Sequence, residues 1–228
     1  MTSKPLFITP TRLEYNSVRA GLMLWLREER LELAQCGMGL GGVQAFLHRL
    51  QAQDRPQALI LLGWAGGIAA ELQPGDWVCA DQARLEGKPP LPQRALAITG
   101  AVRGPLLTVP SVLTTPEEKA AVGSQGILAV EMEAYPLAEW AQEHEIPFYH
   151  ARIILDARHE PLPVVAGGAD ETRFAWLRVL MQLLRRPATL SAYWSLLRRV
   201  RQISPGLENL ARSAYQSLLQ EIEIKSEN

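Results

Sequence analysis

Cysteine and histidine are scarce in this chain of 228 residues, with two of the first and four of the second. Cys36 and Cys79 cannot build a disulfide framework, and His48, His144, His150 and His159 show no metal-ligand spacing. Both cysteines sit in strand-like apolar segments and read as buried free thiols. No apolar run approaches the roughly 20 residues of a membrane span. Met1-Thr2-Ser3-Lys4-Pro5 lacks the apolar core of a signal peptide. Net charge is only −1, so no global field draws nucleic acid. A cytoplasmic protein needing no metal or organic cofactor is expected. Acid residues are missing from one stretch only. Between Thr172 and Leu207 there is no Asp or Glu, while Arg173, Arg178, Arg185, Arg186, Arg198, Arg199 and Arg201 fall there. That basic segment leaves contact with a membrane surface open.

What is present is ordinary globular composition, 47% hydrophobic and 21% charged, enough for one α/β domain over residues 1–228. Leu6–Thr9 reads as a strand ended by Pro10. Glu14–Arg30 has helical spacing through Val18, Leu22 and Leu26. Leu31–Cys36 reads as a strand, broken by Gly37-Met38-Gly39-Leu40-Gly41-Gly42 before a helix over Val43–Gln53. Ala58–Gly63 is a continuous apolar run, the mark of a strand covered on both faces. It opens into Trp64-Ala65-Gly66-Gly67. Asp76–Asp81 is a further strand, and 82–109 read as loops with one or two short strands. Pro116 begins a helix, Ile127–Val130 is a strand, Glu133–His144 a helix, and Pro147–Leu155 a strand ending at Asp156. Strand, glycine turn and helix in repetition predict a three-layer αβα fold around a mixed, mostly parallel central sheet. An Arg-rich helical extension follows over about 172–220. Its first apolar stripe runs Phe174, Leu177, Leu180, Met181 and Leu184; Pro187 interrupts it; a second runs Trp194, Leu197 and Val200. The polar tail after Gln220 is expected to fray.

Ligands of such sheets bind at the carboxyl ends of strands. Five segments qualify: 9–14, 37–39, 63–67, 131–133 and Asp156. Gly37-Met38-Gly39 suits an anion approached by backbone N–H groups, though a turn of this kind is more often plain structure. It is no dinucleotide fingerprint, since the full G-x-G-x-x-G spacing is missing. Glu131-Met132-Glu133 places carboxylates where a ribose cis-diol can donate to them, with a methionine to lie against the sugar. A helix N-terminus that favours acids explains the same residues. Asp156, ending an apolar strand, can carry a raised pKa and protonate a leaving purine, or merely cap a turn. Arg12 can bind phosphate and Glu14 can activate water, or both can form a solvated first turn.

Taken in order, Gly37-Met38-Gly39, Gly63-Trp64-Ala65-Gly66-Gly67 with Pro74-Gly75-Asp76, Val130-Glu131-Met132-Glu133-Ala134 and Arg152 to Asp156 resemble the purine nucleoside phosphorylase and methylthioadenosine nucleosidase superfamily. The resemblance covers residues 5 to 160. It implies that Glu133 holds the ribose hydroxyls with Met132 against the sugar, and that Glu131, Gly66 and residue 64 line the substrate site. Asp156 then protonates the base, and Arg152 buttresses the Glu-Met-Glu segment. Glu14 takes the place of the water-activating glutamate of the nucleosidases. Arg12, with Gly39, takes that of the phosphate site of the phosphorylases, with inorganic phosphate as co-substrate. A homo-oligomer is the family habit.

Two departures stand out: Trp64 replaces the hydroxyl residue before Ala-Gly-Gly, and Leu155 the serine before the acid. With the short middle, Pro161-Leu162-Pro163 and the pair Leu183-Leu184-Arg185-Arg186-Pro187 and Leu196-Leu197-Arg198-Arg199, they resemble the hopanoid-associated branch, which implies adenosylhopane as substrate. A basic amphipathic tail suits a substrate drawn from a membrane; helices that simply cover the sheet, arginines outward, fit the same pattern. Methylthioadenosine, adenosylhomocysteine and futalosine are the alternative substrates. A nucleoside- or lipid-binding protein without turnover is the alternative of another class.

Overall fold

The computed structural model describes residues 3–50, 55–123, 126–162 and 188–226. In chain order the elements are β1 (Leu6–Thr9), α1 (Arg12–Arg27), β2 (Glu32–Gln35), α2 (Gly39–Leu50), β3 (Leu59–Gly67), β4 (Trp77–Leu85), β5 (Leu91–Pro92) and β6 (Val102–Thr108). Then come α3 (Pro116–Gly123), β7 (Ala129–Glu131), α4 (Ala134–Glu143), β8 (Phe148–Asp156) and α5 (Ala188–Ser226). The stripe from Phe174 to Leu184, Pro187 and the arginines from 173 to 186 lie outside the described residues.

Alternation along the buried strands assigns each side chain to a layer. Phe7, Ile60, Leu62, Tyr149 and Ile153 face α1 and α5, where Val18, Leu22, Leu207, Leu210 and Ala214 meet them. Leu6, Ile8, Leu59, Leu61 and Phe148 face the other way, onto Val43 and Phe46 of α2 and Leu137 and Trp140 of α4. The result is the expected three-layer αβα arrangement. The sheet is mixed: β1 lies parallel to β2 and β3, β3 to β8, β4 to β6 and β6 to β7. The β3–β7, β4–β5 and β4–β8 pairs are antiparallel.

The sheet also closes on itself. β3 pairs with β8 along its length and, through Gly66 and Gly67, with β7. The ring β3-β8-β4-β6-β7 encloses Ala65, Val78, Ala80, Leu106, Ala129 and Ile154. Closure needs an irregularity, and the β3–β8 register slips where Ala65 pairs with Ile154 but Gly66 with Asp156. Leu155 is the extra residue.

Two expectations need correction. Residues 82–109 hold more strand than their Pro and Gly content suggests: β4 reaches Leu85, and β6 is a seven-residue ring strand. Its neighbours satisfy the backbone of a segment with no clean alternation. Residues 221–226 do not fray, because α5 continues to Ser226. Glu221 accepts a hydrogen bond from the Tyr149 hydroxyl at 2.7 Å and pairs with Arg94 at 3.1 Å. Among the described residues no helix is long and apolar enough to cross a membrane. Both cysteines are free and buried.

Candidate active site

The carboxyl ends of β1, β3, β7 and β8 converge on one cavity of about 170 Å³. Thr11, Glu14, Trp64, Gly66, Glu131, Met132, Glu133, Leu155 and Asp156 line it, with Val109, Val112, Leu113 and Leu162 across from them. Segments far apart in sequence are thus brought together by the topology.

Arg152 on β8 organises one side. It is wholly buried, and its Nη2 donates to Glu131 Oε2 at 2.7 Å and to Glu133 Oε2 at 3.0 Å. Its Nη1 lies 4.0 Å from Glu14 Oε1, and its Nε donates to His150 Nε2 at 2.8 Å. His150 is therefore neutral; burial, then the neighbouring guanidinium, holds it well below its usual pKa. Each carboxylate has its own further donors. Glu131 Oε1 accepts from Thr108 Oγ1 at 2.5 Å, and its Oε2 accepts from the N–H groups of Glu133 and Ala134 at 2.9 and 2.8 Å. Its Oε2 is saturated by three donors, and its Oε1 is held by Thr108. Glu133 Oε1 takes the Gly39 N–H at 2.8 Å, and each of its oxygens keeps a lone pair for a ligand.

Glu14 is placed by the start of α1. Thr11 caps the helix, and the Thr11 N–H and hydroxyl donate to Glu14 Oε2 at 2.9 and 2.5 Å. The Trp64 N–H donates to Oε1 at 2.8 Å. Residue 64 thus serves this carboxylate through its backbone, where the identity of its side chain is immaterial. Glu14 is in the first turn but buried, not solvated. Burial first, against the pull of Arg152, raises its pKa. Burial likewise pushes Glu133 up to about 7, although Arg152 lowers it; the Glu131 charge adds to the rise.

Asp156 closes the far side. It is buried, and its Oδ2 accepts from the Lys119 ammonium. Its carboxyl pKa lies above the usual value: burial raises it, and the bond to Lys119 opposes.

Arg12 and Gly39 do not form the expected phosphate site. Arg12 is exposed on the first turn of α1 and does not line the cavity. The capping box turns Glu14 inward, and Arg12, two residues earlier, falls on the wet face. Gly39 reaches the site, but its N–H is given to Glu133 rather than held for an anion. His159 is exposed.

Lys119 escaped the sequence reading, and Gly63, inside the 63–67 segment it singled out, was not given its packing role. Lys119, one lysine in a short helix, carried no signal. Gly63 did carry one, as the glycine that ends the apolar run. A Cβ there would run into Arg152 Nη1 and lie 2.5 Å from Glu14 Oε1, so only glycine lets these two groups pass β3.

Residues 21–102 match the family model described as Phosphorylase superfamily. Among solved structures, a putative 5′-methylthioadenosine/S-adenosylhomocysteine nucleosidase from Borrelia burgdorferi, bound to adenine, is similar at TM-score 0.64 and 13% identity, over 93% of this chain and 99% of that one. Futalosine hydrolase of Helicobacter pylori is similar at TM-score 0.61 and 14% identity, over 97% of each chain. The 5′-methylthioadenosine/S-adenosyl homocysteine nucleosidase of Helicobacter pylori is similar at TM-score 0.60 and 15% identity, over 97% of this chain and 98% of that one. At these identities the likeness is one of fold, and the match to the phosphorylase superfamily is carried by residues 21–102.

Proposed function

We propose that this protein hydrolyses the ribose–adenine N-glycosidic bond of a 5′-substituted adenosine. One observation carries the reading: Glu14, Glu133 and Asp156, three buried carboxylates with raised pKa values, face one cavity from three sides. Glu133 accepts the ribose hydroxyls and Met132 lies against the sugar. The C1′–N9 bond breaks with its electron pair going to the base, and Asp156 gives a proton to the purine N7. Glu14 takes a proton from the water that attacks C1′.

Water suits this cavity better than phosphate. Among the described residues the cations at the site, Arg152 and Lys119, are engaged by Glu131, Glu133 and Asp156. A phosphate dianion would face these carboxylates with Arg12 out of reach.

The 5′ substituent is read as large and apolar, adenosylhopane being the named candidate. Val109, Val112, Leu113, Leu155, Leu162 and the Trp64 side chain give the cavity an apolar wall, and Met38 and Val112 are exposed at its edge. Such a substrate comes from a membrane. On α5 the exposed residues Trp194, Arg198, Arg201 and Gln202 share one face, the pattern of a helix that rests on an anionic lipid surface. The second reading, methylthioadenosine, adenosylhomocysteine or futalosine, has the names of the fold's neighbours in its favour.

The test is adenine release, with and without phosphate, from methylthioadenosine and from an adenosine bearing a bulky apolar 5′ group. Phosphate-independent release that prefers the bulky substrate is the expected result. Preference for methylthioadenosine puts the second reading first; dependence on phosphate overturns hydrolysis. Binding without release makes this a nucleoside-binding protein.

A further inference from the structure

Lys119 lies on α3, whose sequence is unremarkable, yet it is fully buried at the end of β8. An ammonium has three N–H donors. All three are used: by Asp156 Oδ2, by the Ala157 carbonyl at 2.9 Å and by the Glu160 carbonyl at 2.8 Å. No proton is left for a ligand, so Lys119 cannot itself donate to a bound base. What it can do is fix one oxygen of Asp156 and leave Oδ1 to the cavity.

The loop that supplies the two carbonyls is fixed in turn. Glu160 Oε2 accepts from the Ala157 N–H at 2.9 Å. Arg199 of α5 holds the same carboxylate in a fork, at 2.6 and 2.9 Å. This arginine, which the sequence grouped with a solvent- or lipid-facing set, points at the site's supporting loop. Among the described residues the charged groups around Asp156 are thus Lys119 from α3, Glu160 from its own loop and Arg199 from α5. Arg158 rests on Gly123 at the end of α3, and exposed His159 faces Glu160.

We infer that Lys119 is a positioning residue for Asp156, holding Oδ2 so that Oδ1 faces the base, and setting the pH up to which Asp156 keeps the proton it must deliver. The inference rests on the proposed reaction. Burial and Lys119 oppose one another at this carboxyl: the first favours the acid, the second the anion. An acid that must be protonated to act gives a rate that falls on the basic side of the profile. Removing the ammonium therefore extends activity to higher pH while disordering the carboxyl.

The experiment compares wild type, Lys119→Met, Lys119→Arg and Arg199→Gln. Two readouts are taken: the pH profile of kcat for adenine release, and the titration of the Asp156 carboxyl by ¹³C resonance, assigned with Asp156→Asn. In Lys119→Met both midpoints rise by a unit or more, with lower kcat at the optimum. Lys119→Arg keeps the charge, brings both back towards wild type and guards against a folding defect in the methionine variant. Arg199→Gln, one bond further out, moves them less. A basic limb and a carboxyl midpoint that stay put in Lys119→Met, with kcat merely reduced, overturn the inference and leave Lys119 a structural residue. A midpoint that moves in a protein releasing no adenine overturns the reaction, while Lys119 still controls Asp156.

Discussion

The two ends of the cavity solve the problem of buried acids differently. Around Arg152 three carboxylates, Glu14, Glu131 and Glu133, share one guanidinium. At the Asp156 end one carboxylate has one ammonium to itself. The shared cation is made sufficient by backbone: Gly39, Trp64, Glu133 and Ala134 all donate N–H groups to these acids. The Asp156 end has a full counter-charge and uses backbone carbonyls to hold the lysine instead. The difference teaches which group is the keystone. Losing Arg152 strands three acids, whereas losing Lys119 strands one, which can take a proton.

The largest expected effect follows. Arg152→Met should cost about 3–5 kcal/mol of stability, the range for breaking a buried ion network by removing one partner. Lys119→Met should cost clearly less. Urea unfolding of both variants at one pH checks this, and equal losses would break the comparison. Gly63→Ala comes next. The added methyl must displace Arg152 or Glu14, and overpacking of this kind costs about 1–3 kcal/mol. Adenine release should fall at least tenfold because Glu14 is moved. An alanine variant with normal turnover would show that β3 yields at little cost.

The Arg152 end was the more legible of the two in the sequence. Its acids stand in a compact motif at a strand end, and Arg152 sits on an apolar strand where a charge needs a reason. The layers were legible too, since period-2 and period-3.6 patterns are local. Lys119 was hidden because its partner lies 37 residues away and only the topology joins them. β6 was hidden because its hydrogen bonds come from β4 and β7, not from its own pattern. Arg199 shows the limit of reading charge as surface: its sequence neighbours Arg198 and Arg201 are exposed, while it turns inward to Glu160. The expectation for Arg12 came from a motif position, and the capping box at Thr11 decided otherwise.

A smaller effect sharpens the comparison. Glu133 has a pKa pushed up to about 7 by burial, and an ordinary value of 4.5 in the unfolded chain. The folded protein therefore keeps a proton there that the unfolded chain has already lost, and this contribution to stability is lost as pH rises from about 4.5 through about 7. In the proposed reaction, binding of a ribose diol needs the carboxylate as acceptor, so it follows the opposite course. Affinity for a non-hydrolysable adenosine analogue should fall roughly tenfold between pH 8 and pH 6, as the ionised fraction drops. Glu133→Gln, which keeps an acceptor oxygen but does not titrate, should bind more weakly at pH 8 and show a much flatter profile. Calorimetric titration of both proteins across that range checks the slope. A wild-type affinity unchanged from pH 8 to pH 6 would mean that Arg152 and Gly39 keep Glu133 ionised throughout, and that the shared cation suffices as well as the private one.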